Sequence, residues 1–273
     1  MKFPLIPFAG LLVLTLGPAI SPQMSYAQTG QVIFNHTFTN DSGLPANWES
    51  KLDGSVGCAS PANTPDDVST YVTTDNWPGH GRVMTVHANV HAEKVTVANS
   101  LAVRSFNYLG GGNYQADFDM RLWQIDATYQ NNYYGMNLTV ARSAVEHFAE
   151  VNIETNPTSA DYGYLMYKRV GNGGTERVRV SNDFIGVNTN WHHLTVNVQV
   201  DTSTSFYVLE SVQIDGGAWH VLHEPLPTRS TPWPDFSNFF VESHSRITGC
   251  QPNTGPYVGI ALFDNVKLTY FPW

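Results

Sequence analysis

Basic residues are scarce in this chain. Lysine and arginine number 14 against 23 aspartates and glutamates, a formal charge of -9, and no run of basic residues occurs. A phosphate-binding surface depends on clustered cations, so nucleic acid is excluded as a partner and an anionic membrane surface is disfavoured with it. Charged residues of both signs make up only 14% of the 273 residues, while hydrophobic residues reach 42% and aromatics 12%. An average domain is about 25% charged. This balance excludes a disordered chain and allows a large buried core. No stretch keeps an apolar helical period over three turns, and no internal repeat is present. The Gly-x-Ser-x-Gly elbow, the phosphate loop and the dinucleotide fingerprint are all missing.

Residues 1-27 read as a secretory signal. Lys2 supplies the positive charge, Phe8 to Leu16 the apolar stretch, and Ser25-Tyr26-Ala27 the small-residue cleavage site. Pro4, Pro7 and Pro18 interrupt the uncharged stretch, whereas a spanning helix wants about 20 apolar residues. The expectation is therefore a secreted, extracellular protein with no membrane segment after cleavage. Residues 28-273 are expected to form one domain and a monomer. Cysteine is limited to Cys58 and Cys250. An oxidising compartment makes a disulfide between them the default, with two buried thiols as the alternative.

Period-two alternation dominates the rest. Val32, Phe34 and Phe38 alternate, then Met84, Val86, Ala88 and Val90, then Ala116, Phe118, Met120 and Leu122. Met136, Leu138 and Val140 follow, then Ala149, Val151 and Ile153, then Leu194, Val196, Val198 and Val200. Ile260, Leu262, Val266 and Leu268 close the series, with an irregularity near Asp264. This is the pattern of half-buried strands. Gly110-Gly111-Gly112, Gly171-Asn172-Gly173-Gly174 and Asp215-Gly216-Gly217 supply turns between them. The expected fold is all-β, a jelly-roll sandwich of two antiparallel sheets.

Trp191-His192-His193-Leu194-Thr195-Val196, Val212-Gln213-Ile214-Asp215-Gly216 and Leu262-Phe263-Asp264-Asn265-Val266-Lys267-Leu268 resemble segments of concanavalin-A-like domains, including laminin-G-like modules. The resemblance implies that the first and last strands are neighbours, which would bring the loops of Cys58 and Cys250 together. It also implies lectin, glycosidase, lyase or peptidase activities, which share this fold. Such domains often bind a structural calcium near their last strands, for which Asp264, with Asp41, is the candidate; turn formation accounts for Asp264 equally well.

The polar side of each strand is where chemistry belongs. With Ala149, Val151 and Ile153 inward, Glu150, Asn152 and Glu154 share the outward side, and glycosidic cleavage needs two carboxyls. Glu150-Val151-Asn152-Ile153-Glu154 resembles the E-x-D-x-E strand of laminarinase- and lichenase-type retaining glycosidases. That likeness implies Glu150 as nucleophile and Glu154 as acid/base, with Asn152 where the group has Asp. Asp119, Arg121 and Trp123 form the polar side of another strand, Glu242, His244 and Arg246 that of a third, and both sets are assigned to substrate binding. Tyr164, Tyr167 and Lys168 are available for lyase chemistry, in which a cation or amide neutralises a uronate and a base takes the adjacent proton. His87 and His91 share a strand face without a third ligand at zinc-like spacing. Asn35, Asn40 and Asn137 begin glycosylation sequons. Three readings stay open: an endo-glycosidase acting on extracellular polysaccharide, a carbohydrate-binding or adhesion module, and an acidic strand face serving solubility. A lyase is the weaker enzymatic option. No cofactor is required by any of them.

Overall fold

The computed structural model describes residues 29-55, 68-91, 97-123, 133-142, 145-171, 174-187, 190-204, 206-230, 237-246 and 256-273. The signal-like segment, Cys58 and Cys250 lie outside the described residues, as do the side chains of His91, His244 and Arg246.

Among the described residues all regular structure is β, in two antiparallel eight-stranded sheets. The first sheet runs β13 (Trp219–Pro225), β12 (Phe206–Ile214), β11 (His192–Asp201), β6 (Gly112–Trp123), β16 (Pro256–Pro272), β4 (Gly81–His91) and β3 (Val68–Trp77). The second runs β10 (Gly174–Phe184), β9 (Tyr164–Gly171), β8 (Val145–Glu154), β7 (Tyr133–Arg142), β15 (Ser237–Arg246), β5 (Val97–Phe106) and β2 (Glu49–Ser55), with β14 (Thr228–Ser230) added on β8. β1 (Gln31–His36) pairs with the end of β16, so the first and last strands are neighbours as the resemblance implied. The architecture is the expected jelly-roll sandwich.

Alternation decides which side chains fill the space between the sheets. Tyr114, Ala116, Phe118 and Met120 of β6, Met136, Leu138 and Val140 of β7, Ala149, Val151 and Ile153 of β8, and Leu194 to Val200 at every second position of β11 are buried in one core. Phe239 ties the two sheets together, its ring 5.7 Å from Phe34, 6.3 Å from Trp48 and 6.4 Å from Phe118.

Two strands depart from simple alternation. The β1 register shifts between Val32 and Phe34, which leaves Phe34 in the core and turns Val32 outward at 51% exposure. In β16 a bulge falls between Asp264 and Lys267, with Asn265 at φ 50°. An extra residue reverses side-chain parity. Ala261 and Phe263 therefore face the core before the bulge, and Val266 and Leu268 after it, so Ile260 and Leu262 belong to the opposite face. The β12–β13 connection has Asp215 and Gly216 both at positive φ (51° and 67°), the geometry that two-residue hairpin loops demand.

Candidate active site on the second sheet

The side of β8 away from the core carries Glu146, Phe148, Glu150, Asn152 and Glu154. Each is set against a partner across the sheet: Asn137 and Gly135 of β7 stand opposite Glu150 and Asn152, and Phe240 and Glu242 of β15 stand opposite Asn137 and Gly135. On the other side Met166 of β9 faces Asn152. In the next strand Arg177 lies opposite Lys168. Gly135 is required by this packing, because a Cβ there would sit 2.1 Å from the Val151 carbonyl and 2.6 Å from Asn152 Cα.

The glutamates emerge on the open face but are crowded by their neighbours, leaving Glu150 6% and Glu154 8% exposed. Carboxylates this enclosed need compensating donors. Lys168 Nζ donates to Glu150 Oε2 at 2.6 Å, and Asn152 Nδ2 donates to Glu150 Oε1 at 2.8 Å. Arg177 donates through Nη1 to Glu154 Oε2 at 2.8 Å and through Nη2 to the Asn152 amide oxygen. The Asn156 backbone N–H donates to the other Glu154 oxygen at 2.8 Å. Asn152 thus gives a proton to one partner and accepts one from another. An aspartate there could accept from Arg177 but would repel Glu150, a physical reason for the amide in this chain.

The structure brings together Glu150, Asn152, Glu154 and Glu242, and places the backbone of His244 and Arg246 further along the same strand. Glu242 is partly exposed and has no hydrogen bond or ion pair among the described residues. Burial pushes its carboxyl up to about 8, helped by the charge of Glu150 and opposed by Lys168, Arg229 and Arg177. Arg177 was not recognised from sequence, although the period-two run Arg177-Val178-Arg179-Val180 marks it as outward-facing. Toward one end of the face a groove opens between Lys51, Leu101, Phe240, Glu146 and Arg229. Tyr164 stays on this side, its ring beneath the Arg179 guanidinium at 3.8 Å. Tyr167 turns into the core and its hydroxyl donates to Glu224 at 3.4 Å, so it is not available to the site.

Asp119, Arg121 and Trp123 do not join this cluster. They lie on β6, in the first sheet, and face outward from the opposite side of the sandwich. There Arg121 is flanked by Trp77 at 5.5 Å and Trp123 at 5.0 Å, and Asp119 accepts from Asn265 Nδ2 at 2.6 Å and meets His193 Nδ1 at 2.7 Å. One face cannot use both sets, because parity puts each set outside its own sheet. Asp264 sits in the bulge, where its carboxylate accepts the Asn265 N–H at 2.8 Å and lies 3.6 Å from His80 Nδ1. Calcium takes six to eight oxygen ligands, and Asp119, opposite on β6, is the neighbouring carboxylate. Asp41 is paired separately with His36 at 2.6 Å. Among the described residues no three His, Cys, Asp or Glu side chains converge as metal ligands. Asn137 is 2% exposed beside Glu150, so its sequon is closed to modification in the folded protein.

Arg177→Met is expected to cost about 2 kcal/mol, read as a lower urea midpoint at unchanged slope. The change strands Glu154 with one backbone donor, and the 17% exposure of Arg177 moderates the larger penalty of a fully buried pair.

No protein-family model and no curated protein sequence matches this chain. Solved structures do. An endo-β-1,4-glucuronan lyase from the fungus Trichoderma reesei superposes with a TM-score of 0.50 at 14% identity, over 87% of this chain and 95% of that one. A putative β-glucanase from Mycobacterium abscessus gives 0.47 at 14% identity over 87% and 100%, and LamAcat from Zobellia galactanivorans 0.47 at 9% over 88% and 97%. The likeness to the lyase shows the fold, a jelly-roll sandwich of two antiparallel sheets.

Proposed function

We propose that this chain is a secreted carbohydrate-active protein that holds an extracellular polysaccharide on the open face of the second sheet and hydrolyses it as an endo-acting glycosidase. The observation that carries the reading is Glu150. It stands mid-strand on that face, ion-paired with Lys168 and held by the Asn152 amide, with Glu154 four residues along β8 and Glu242 two strands across, level with Asn152. A glycosidase needs one carboxylate to act on the anomeric carbon or on water, and one carboxylic acid to protonate the departing oxygen. Glu154 is held by Arg177 and the Asn156 N–H, as Glu150 is by Lys168 and Asn152, and in this reading it shapes the site. Fold relatives that include a glucuronan lyase and a putative glucanase are in keeping with a polysaccharide partner.

A carbohydrate-binding or adhesion module is the second reading, and the saturation of the Glu150 and Glu154 oxygens by protein donors favours it. Purified protein incubated with laminarin, lichenan, alginate and glucuronan separates the possibilities. New reducing ends with saturated products support hydrolysis. Retention on the polysaccharide without cleavage assigns a binding module, and unsaturated ends absorbing in the ultraviolet assign a lyase using Lys168 and Tyr164.

A further inference from the structure

Among the four carboxyls near the centre of the open face, three are already engaged: Glu146 by Arg229, Glu150 by Lys168 and Glu154 by Arg177. Glu242 alone has no such partner among the described residues. β15 is separated from β8 by β7, and the position between Glu242 and Asn152 is Gly135, which has no side chain to intervene. We infer that Glu242, not Glu154, is the group that gives its proton to the glycosidic oxygen, with Glu150, ion-paired to Lys168, as the base. The inference rests on the hydrolytic reading and assigns the second half of its chemistry.

Glu242 lies two strands across from Asn152, and Glu150 is two residues from Asn152 along β8, which puts the bases of Glu150 and Glu242 about 12 Å apart. From that spacing, side chains leaning toward one another over Gly135 can bring the carboxyls to the roughly 6.5–9.5 Å that inverting cleavage uses with a water between them, a wider gap than a covalent mechanism takes. The step balances as follows. Glu150 takes a proton from the water as its oxygen bonds to the anomeric carbon. The bond from that carbon to the glycosidic oxygen breaks, the oxygen keeps the electron pair, and Glu242 supplies the proton that completes the leaving hydroxyl.

The surroundings keep a proton available on Glu242. Gly135 of β7 and Leu101 of β5, its immediate neighbours, offer no charge. Glu150 on β8 raises its proton affinity, while Lys168 on β9, Arg177 on β10 and Arg229 beside β8 offset part of that effect. His244 follows two residues along the same strand.

The test compares wild type, Glu242→Gln and Glu154→Gln on whichever of the four polysaccharides is cleaved, and on a nitrophenyl glycoside of the same sugar, whose leaving group needs no proton. Glu242→Gln is expected to lose about 10²- to 10⁴-fold on the polysaccharide, to lose far less on the nitrophenyl substrate, and to flatten the alkaline limb of the pH profile. Glu154→Gln is expected to lower both rates by a similar, smaller factor. Cleavage should yield the inverted anomer, read by proton NMR. A readout independent of activity is an infrared carboxylic-acid band present at pH 7, lost near pH 9 and absent from Glu242→Gln. Stability carries the same sign: the folded state holds a proton that the unfolded chain has released, so wild type weakens relative to Glu242→Gln as pH rises from about 4.5 to about 8. Full polysaccharide activity in Glu242→Gln, or no acid band at pH 7, overturns the assignment while leaving hydrolysis standing. A wild type that cleaves none of the four polysaccharides overturns the hydrolytic reading and this assignment together.

Discussion

Glu150→Gln is expected to lower polysaccharide hydrolysis by about 10³-fold or more, with little change in the unfolding midpoint. The glutamine has the same shape and still offers an oxygen to Lys168, whose side chain is 27% exposed and can turn to water when its ion pair is lost. What disappears is the negative charge, which neither Asn152 nor the tightly held Glu154 replaces. About 10³-fold corresponds to about 4 kcal/mol of transition-state stabilisation. Steady-state kinetics on the responding polysaccharide check it, with the loss expected in kcat. A second consequence follows from the electrostatics: removing the Glu150 charge lets Glu242 release its proton at lower pH, so the infrared acid band should vanish earlier in the titration than in wild type.

Phe239→Ala is expected to destabilise the fold by about 3–5 kcal/mol. Its ring is fully buried and meets Phe34 of β1, Phe118 of β6 and Trp48 on the approach to β2, so truncation opens a cavity where the two sheets and the first strand converge. Rigid aromatic neighbours cannot collapse into such a gap. Urea unfolding should show a lowered midpoint with the slope retained. A loss below about 1 kcal/mol would mean that the sheets are held chiefly elsewhere.

Parity made much of this structure legible in advance. Where a strand is regular, as in β6, β7, β8 and β11, every second residue named as apolar lies in the core, and the opposite set is outward. That alone put Glu150, Asn152 and Glu154 together, and Glu242 on an outward face. Bulges broke the reading. Alternation alone puts Val32 inward because nothing in the composition betrays the register shift in β1, and the parity of Ile260 and Leu262 reverses at the Asp264–Asn265 bulge.

Alternation also says nothing about which sheet a strand joins. Asp119, Arg121 and Trp123 looked like companions of Glu150, yet strand order places them on the far side of the molecule. Long-range pairing likewise hid the role of Arg177: its outward parity was visible, but its contact with Glu154 arises only because β10, β9 and β8 lie in succession. Asn152 departs from the aspartate of the glycosidase strand that this segment resembles. Its two hydrogen bonds show it as the link between Glu150 and Arg177.

The most direct measurement is a crystal structure of Glu150→Gln with an oligosaccharide of the cleaved polymer. A sugar chain lying across β8, β7 and β15, with a glycosidic oxygen within hydrogen-bond reach of Glu242, is the predicted result. Density for the sugar only against Trp77, Arg121 and Trp123, on the outside of the first sheet, would contradict it.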